Sequence, residues 1–242
     1  NIFLLCNKHG VSSEFQNSDI KLTRLNSFYP KILSKHPINI AQKFSYRASL
    51  FLLKSITRGS YYDLGCLQKR RFLRKAHKII VDNNISNVIV SGAPFSYLYY
   101  VALLREKIEF NFIADFRDAW TWSKINGTSS LKYKRFNEEN RREILVLKRA
   151  DNITVASVDL KFHLDIVLNR NKISKKVIVL TNSIESKNKE FKSYIFDNSK
   201  IIISHIGTIP LKTRKYWKIF LNYLNETDLV LNIDFYSNSN NE

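Results

Sequence analysis

Short apolar runs alternate with longer amphipathic segments along this chain, and the alternation becomes regular after residue 85. Four apolar runs are typical of buried strands, at 88–90, 110–114, 153–156 and 177–180. Helical periodicity follows three of them, at about 95–106, 134–149 and 158–168. This order predicts an α/β fold with a doubly wound parallel sheet and helices on both of its faces.

The flanking segments predict further elements and a division into domains. Strand patterns stand at 2–6 and 20–25, and helical patterns at 40–56 and 67–82. Residues 184–200, rich in Lys, Asn, Ser and Glu, resemble a linker. Beyond it a second α/β domain begins, with a strand at 201–208, a helix at about 212–224 and a strand at 229–235. We therefore expect a first domain over 1–183, the linker, and at 201–242 the start of a second domain that is cut short.

Composition limits the class of protein. With 44% apolar and 13% aromatic residues among 242, the chain is globular rather than disordered. It has no run approaching the roughly 20 apolar residues that cross a bilayer. Cys6 and Cys66 form neither a disulfide framework nor a metal-binding spacing, and the five histidines show no paired metal spacing. A reducing, cytoplasmic setting without a metal is expected.

The formal net charge of +18 favours a phosphate-bearing partner such as nucleic acid, anionic lipid or a phosphorylated substrate. Basic residues cluster in two predicted helices, the first with Lys69, Arg70, Arg71, Arg74, Lys75 and Lys78, the second with Lys132, Lys134, Arg135, Arg141, Arg142, Lys148 and Arg149. A solvated helix face explains the second cluster, because Glu138 and Arg142 are one turn apart. The first cluster has no interspersed acid, which favours an anion-facing surface.

The candidate chemistry begins with Asp115, Arg117 and Asp118, directly after the apolar run at 110–114. Ligands of open α/β sheets sit beyond the carboxyl ends of the strands. Two carboxylates beside a guanidinium can orient hydroxyls, balance a phosphate or act as a base. Alternatively, the acids cap the next turn and Arg117 bridges them. Both interpretations stay open at this point.

Small and polar residues follow the other predicted strands, which indicates a ligand cleft along one edge. They are Ser91, Gly92 and Pro94, then Ser157, then Thr181 and Asn182, and in the second domain Gly207 and Thr208. At 91–96 the first N–H groups of a helix would favour an anion or a sugar hydroxyl, although a tight turn explains the segment equally well. The segment lacks the pattern of a P-loop or a dinucleotide fingerprint. His205 is interpreted as a core residue.

Together these motifs resemble the N-terminal half of GT-B glycosyltransferases of the family 4-like group. The resemblance is strongest in Ser-Gly-Ala-Pro at 91–94 and Ala-Asp-Phe-Arg-Asp-Ala-Trp-Thr-Trp at 114–122. Segments 149–157, 177–182 and 206–214 also resemble segments of that group, and they occur in the same order along the chain. The chain departs from the pattern at Ala119, where proline is common, and at Ser183, where glycine is usual. The glutamate-bearing donor motif has no counterpart.

The resemblance implies a Rossmann-like sheet of GT-B type and transfer of a sugar from a nucleotide diphosphate sugar, the co-substrate, to an acceptor hydroxyl without a cofactor or metal. Asp118, favoured over Asp115, would orient or deprotonate the acceptor. Arg117, or Lys212 and Arg214, would balance the leaving diphosphate. Expected substrate contacts are Ser91, Gly92, Pro94, Trp120, Trp122, Thr181 and Asn182, and expected donor-diphosphate contacts are Gly207, Thr208, Lys212 and Arg214.

The resemblance also implies a carbohydrate or lipid-linked acceptor, in cell-surface polysaccharide or glycolipid synthesis at the inner face of the membrane. The basic cluster at 69–78 would then dock on anionic lipid. Two other hypotheses remain. One is a non-catalytic or partner-dependent remnant of the transferase fold. The other, less favoured, is a nucleic-acid-binding protein, because Phe72 is the only aromatic residue within that cluster.

Overall fold

The computed structural model describes residues 2–7, 20–34, 37–122, 128, 131–182, 201–206, 214–226 and 231–236. The chain divides into two compact units, Asn1–Ser183 and Ile184–Glu242. The predicted linker at 184–200 lies outside the described residues. Each unit is an α/β structure with parallel strands.

The predicted helices and strands are confirmed, with shifts of a few residues at their ends. The first unit contains β1 Ile2–Asn7, β2 Ile20–Leu25, a 3-10 turn at Lys31–Ser34, α1 Ile40–Ile56, α2 Lys69–Asp82, β3 Asn87–Gly92, α3 Phe95–Arg105, β4 Asn111–Phe116, α4 Tyr133–Arg149, β5 Asn152–Val155, α5 Val158–Arg170 and β6 Val177–Val179. The second unit contains β7 Ile201–Ile206, α6 Arg214–Asn225 and β8 Leu231–Tyr236.

The main sheet of the first unit has four parallel strands in the order β3-β4-β5-β6. Its strands follow chain order in one direction, so right-handed crossovers place the connecting helices on the same face. That face is the apolar core, where Val90, Ala114, Ile153 and Val177 are neighbours in register and all buried. Among the described residues helices cover this face alone, which differs from the prediction of helices on both faces.

Helix α3 lies at the centre of this core. Eight of its eleven residues are buried, because it is apolar on nearly every side and packs between the sheet, α2 and α4. Its Tyr97 stacks on Phe72 of α2 with ring centroids 4.7 Å apart. Helix α3 therefore fixes the start of the sheet relative to the helices around it.

Strands β1 and β2 form a separate parallel pair, as do β7 and β8 in the second unit. Gln68, which precedes α2, donates a hydrogen bond from Nε2 to Asn7 Oδ1 at 2.9 Å, and this bond joins the end of β1 to the helical layer. Within the described part of the chain, every helix is too short or too polar to cross a membrane.

Candidate functional site

Asp115 lies inside a strand, not beyond it. Strand β4 continues to Phe116, so the predicted end at Ala114 is wrong by two residues. The register pairs Asp115 with Ser91 of β3 on one side and Thr154 of β5 on the other. These three polar residues form a row on the sheet face opposite the apolar core.

The Asp115 carboxylate ties three strands together. Oδ1 accepts a hydrogen bond from Thr154 Oγ1 at 2.7 Å. Oδ2 accepts one from Ser91 Oγ at 3.0 Å and one from Arg117 Nε at 2.8 Å. Since Asp115 is buried and both of its oxygens are engaged, its carboxylate acts within the protein to hold β3, β4 and β5 together and to orient Arg117.

Arg117 connects the residues that follow β4 with those that follow β6. Its NH1 group donates to the Leu180 carbonyl and to Asn182 Oδ1, both at 2.9 Å. The structure thus brings four predicted site residues together, namely Ser91, Asp115, Arg117 and Asn182. The alternative in which Arg117 bridges the two acids is wrong, because its second partner is Asn182 rather than Asp118.

Asp118 has a different environment. It is exposed, and no hydrogen bond or ion pair joins it to any residue in the described part of the chain. Thr181, beyond β6, is also exposed. Asp118 is therefore the exposed carboxylate of the segment that follows β4.

The turn between β3 and α3 is built around Gly92. A Cβ at this position would lie 2.8 Å from Leu98 Cδ1 and 2.9 Å from Phe95 Cδ1, so glycine is required for the packing of the helix onto the strand. Pro94 precedes α3 at the N-cap position and makes no side-chain capping bond. The close approach that glycine permits here is to the core, since Gly92 itself is buried.

The start of α3, predicted to receive an anion or a sugar hydroxyl, already binds a carboxylate of the chain itself. The Ser96 N–H donates to Asp63 Oδ2 at 2.9 Å, and the Gly65 N–H donates to Asp63 Oδ1 at 2.7 Å. Burial raises the pKa of Asp63, while the two N–H donors act in the opposite direction. Sequence periodicity gave no signal for this cap, because Asp63 is distant from α3 along the chain.

The two tryptophans near β4 have different roles. Trp120 is 1% exposed and stacks on Phe95 with centroids 5.0 Å apart, and its indole Nε1 donates to Glu139 Oε2 at 2.7 Å. Trp122 is 46% exposed and stacks on the His163 ring at 4.6 Å. Trp122 presents its ring to solvent, whereas Trp120 belongs to the core and is inaccessible to a substrate.

Sequence reasoning missed a pair of buried carboxyl groups on α4. Glu139 Oε1 accepts the Ser60 N–H at 2.9 Å and Arg142 NH1 at 3.0 Å. Glu143, one turn later, accepts a short hydrogen bond from Thr121 Oγ1. Burial raises the pKa of Glu143 to about 7, the charge of Glu139 adds to that effect, and the bonds from Thr121 oppose it.

A signal for this pair was present in the helix periodicity. Glu139 and Glu143 share a face with Val146 and Leu147, all four of which are buried. The interpretation of α4 as a solvated charged face is therefore wrong for this side of the helix. Arg135 also points inward, and its guanidinium binds carbonyls at the end of α1.

The basic residues of α2 lie on the exposed side of the helix. Phe72, Ala76 and Ile80 form the buried face of this helix. The six basic residues of the first cluster are all exposed, at Lys69, Arg70, Arg71, Arg74, Lys75 and Lys78. Within the described residues Lys78 is the only one of them with an ion pair, to Asp82 at 3.9 Å. The cluster is thus a basic surface with little internal neutralisation.

The remaining predicted residues divide between the two units. Ser157 caps α5 by accepting the Leu160 N–H at 3.2 Å. Gly207, Thr208 and Lys212 lie outside the described residues, and Arg214 is the first residue of α6. In the ranges that the structure describes, no three His, Cys, Asp or Glu side chains are grouped so as to hold a metal ion.

Comparisons of this chain with protein-family models, with curated proteins and with solved structures find no match.

Proposed function

We propose that this protein is a glycosyltransferase of GT-B type that moves a sugar from a nucleotide diphosphate sugar to an acceptor hydroxyl. The observation that carries the proposal is the contrast between two neighbouring acids at the carboxyl end of strand β4. Asp115 is fully engaged and orients Arg117, whereas Asp118 is exposed and has no partner among the described residues. Exposed carboxylates beside a rigid polar cluster suit the activation of a hydroxyl.

In this proposal Asp118 accepts the proton of the acceptor hydroxyl. The acceptor oxygen forms a bond to the anomeric carbon of the donor sugar. The bond from that carbon to the diphosphate oxygen breaks, and its electron pair leaves with the nucleoside diphosphate. Transfer of the proton to Asp118 makes the acceptor oxygen a stronger nucleophile at the moment of attack.

Arg117 is assigned a positioning role. Its Nε and NH1 groups are occupied by Asp115, Leu180 and Asn182, so it holds the segment after β6 next to the segment after β4. The resemblance assigns the leaving diphosphate to Gly207, Thr208, Lys212 and Arg214, of which Arg214 lies among the described residues.

The acceptor is assigned to the exposed residues near Asp118. Trp122 offers an open ring face, and Thr181 and Asn182 offer polar groups. Binding sites for small ligands combine apolar and aromatic surfaces with a few polar groups in this way. A carbohydrate or a lipid-linked sugar at the inner face of the membrane fits these groups and the basic surface of α2.

The test is a screen of the full chain with UDP-, GDP-, ADP- and dTDP-sugars, measuring release of the nucleoside diphosphate with and without added carbohydrate acceptors. We expect release from one donor class and a higher rate when a suitable acceptor is present. Absence of release and of nucleotide binding with every donor would overturn the proposal in favour of a non-catalytic remnant of the fold.

A further inference from the structure

Helix α1 has an exposed apolar face. Ile40, Phe44 and Phe51 recur at spacings of four and seven residues, which places them on one side of the helix. The two phenylalanine side chains are 76% and 70% exposed. The opposite side packs against the first unit through Leu53, which contacts a small cluster containing Tyr61. The exposed side is therefore not the one that holds α1 in the fold.

The exposed apolar surface widens towards the end of the helix, where Leu52 and Ile56 lie about 100° and 140° around the axis from Phe51. Leu52 and Ile56 are also exposed, as is Ile38 just before the helix. Isolated exposed apolar residues are normal on a protein surface, but six large ones within 19 residues form a patch that indicates an interaction site. We call Ile38, Ile40, Phe44, Phe51, Leu52 and Ile56 the α1 face.

The chain around the α1 face is strongly basic. Residues 20–62 contain eight Lys and Arg and no Asp or Glu. Over 20–82 there are fourteen basic residues and two acids: Asp63, whose carboxylate is bound internally by the N–H groups of Gly65 and Ser96, and Asp82, which pairs with Lys78 at 3.9 Å. Lys43 and Arg47 of α1 are themselves exposed. A positive potential therefore accompanies the apolar patch.

We propose that α1 lies in the interface of an anionic lipid bilayer, with the α1 face among the acyl chains and the basic residues at the headgroups. A helix of 17 residues is about 25 Å long, which suits an orientation along the membrane surface. Anionic headgroups match the one-sided charge, and acyl chains match the exposed phenylalanines. This inference stands independently of the proposed sugar transfer.

Other partners fit this surface less well. A second copy of the chain would bring two basic regions together, and like charges oppose such pairing. Nucleic acid would satisfy the charge but leaves the large apolar side chains of the α1 face without a partner, since most contacts to a duplex go to phosphate and sugar. Anionic lipid offers an apolar interior for the α1 face and negative headgroups for the basic residues at the same time.

The test is flotation of the full chain with vesicles of phosphatidylcholine, alone or with 30% phosphatidylglycerol. We expect binding to the anionic vesicles only. The double substitution Phe44→Ser and Phe51→Ser should lower the partition coefficient by about a hundredfold, roughly tenfold for each side chain that no longer enters the bilayer. Phe162→Ser is the matched control, because Phe162 on α5 is likewise 70% exposed, and it should bind within about twofold of the wild type.

A second readout does not depend on removing apolar residues. Phe51→Trp should show a blue-shifted emission and quenching by brominated lipid on anionic vesicles, whereas Phe162→Trp should show neither. Equal loss of binding in Phe162→Ser would overturn the proposal. The proposal would also be wrong if 1 M salt abolished vesicle binding while the double substitution left it unchanged. Binding of RNA or DNA without binding of vesicles would contradict it as well.

Discussion

The two acids that flank Arg117 illustrate how one strand position decides the role of a carboxylate. Asp115 faces polar neighbours on both adjacent strands and accepts three side-chain hydrogen bonds. Asp118 stands beyond the end of the strand, where the register no longer supplies partners. The first therefore has a structural role, and the second is the one that we propose as the base for the acceptor hydroxyl.

This difference predicts opposite effects on stability. Asp115→Ala removes three hydrogen bonds, one of them to a guanidinium, and should lower the free energy of unfolding by about 2–3 kcal/mol. Asp118→Ala removes an exposed side chain and should change that free energy by less than about 0.5 kcal/mol. Urea denaturation of both variants checks the pair. Equal destabilisation by the two substitutions would show that the Asp115 bonds do not hold the strands.

Glu143 makes stability depend on pH. Its pKa is about 7 in the folded protein against 4.5 for the free side chain. The folded state therefore binds more protons between these values, and this group's contribution to stability falls as pH rises from about 4.5 to 7. Glu143→Gln should be close to the wild type near pH 4.5 and more stable at pH 8, by on the order of 2 kcal/mol.

Thermal or urea unfolding at pH 4.5 and pH 8 measures this effect. Exposed Glu109 supplies the control, since Glu109→Gln should follow the wild type at both pH values. A Glu143→Gln variant with the same pH dependence as the wild type would contradict the assignment of a proton to buried Glu143.

At the scale of elements, hydrophobic periodicity predicts where helices and strands lie but not which polar side chains face inward. All predicted elements of the first unit form, because the 3.6- and 2-residue periods record which faces are buried. The buried pair Glu139 and Glu143 was missed, since a charged residue on a basic helix is ordinarily solvated. The resemblance implied that Trp120 contacts the substrate, but the structure buries it. Position along the chain next to a strand does not show whether a side chain is buried.

The sequence predicts those contacts of the candidate site that follow from the order of the strands. Parallel pairing places the segments after β4 and β6 at the same edge, so the meeting of Arg117 with Asn182 follows from the topology. The Asp63 cap on α3 does not, because it joins residues 33 positions apart through a loop of no regular pattern. Contacts of that kind become visible only in three dimensions.

The C-terminal end of α1 is fixed by α4. Arg135 donates from NH1 to the carbonyls of Thr57 at 2.7 Å and Gly59 at 3.0 Å, and from NH2 to Lys54. Arg135→Lys replaces a planar fork by a single ammonium, so some of these carbonyls lose their donor. Amide exchange at residues 53–57 should accelerate by about tenfold, while amides of the main sheet stay unchanged.

Hydrogen exchange monitored by mass spectrometry or NMR measures this effect. Arg141→Lys is the control, since the Arg141 side chain is 76% exposed and its one ion pair among the described residues is to Glu138, at 3.7 Å. Faster exchange in both variants, or in neither, would show that Arg135 does not hold the end of α1.

At the scale of the molecule, the formal net charge of +18 is distributed unevenly, because some charged groups bond within the protein while the basic residues of α2 face solvent. Among the described residues, the carboxylates of Asp63, Asp115, Glu139 and Glu143 bond within the protein, as do the guanidinium groups of Arg117, Arg135 and Arg142. The six basic residues of α2 are all exposed. Such a surface attracts phosphate-bearing partners over several ångströms, and the attraction weakens with salt. Nucleotide sugars and anionic lipid both fit that field.

Asp118→Asn tests the central claim most directly, because it removes the proposed base while keeping shape and fold. The assay uses the nucleotide sugar from which the wild type releases nucleoside diphosphate, and compares turnover by the wild type, Asp118→Asn and Glu109→Gln. Glu109→Gln is the control, because Glu109 is an exposed acid that precedes β4, whereas Asp118 follows it. We predict a fall in kcat of at least about a hundredfold for Asp118→Asn and no change for Glu109→Gln. Unchanged turnover in Asp118→Asn would contradict the assignment of this carboxylate to the acceptor hydroxyl.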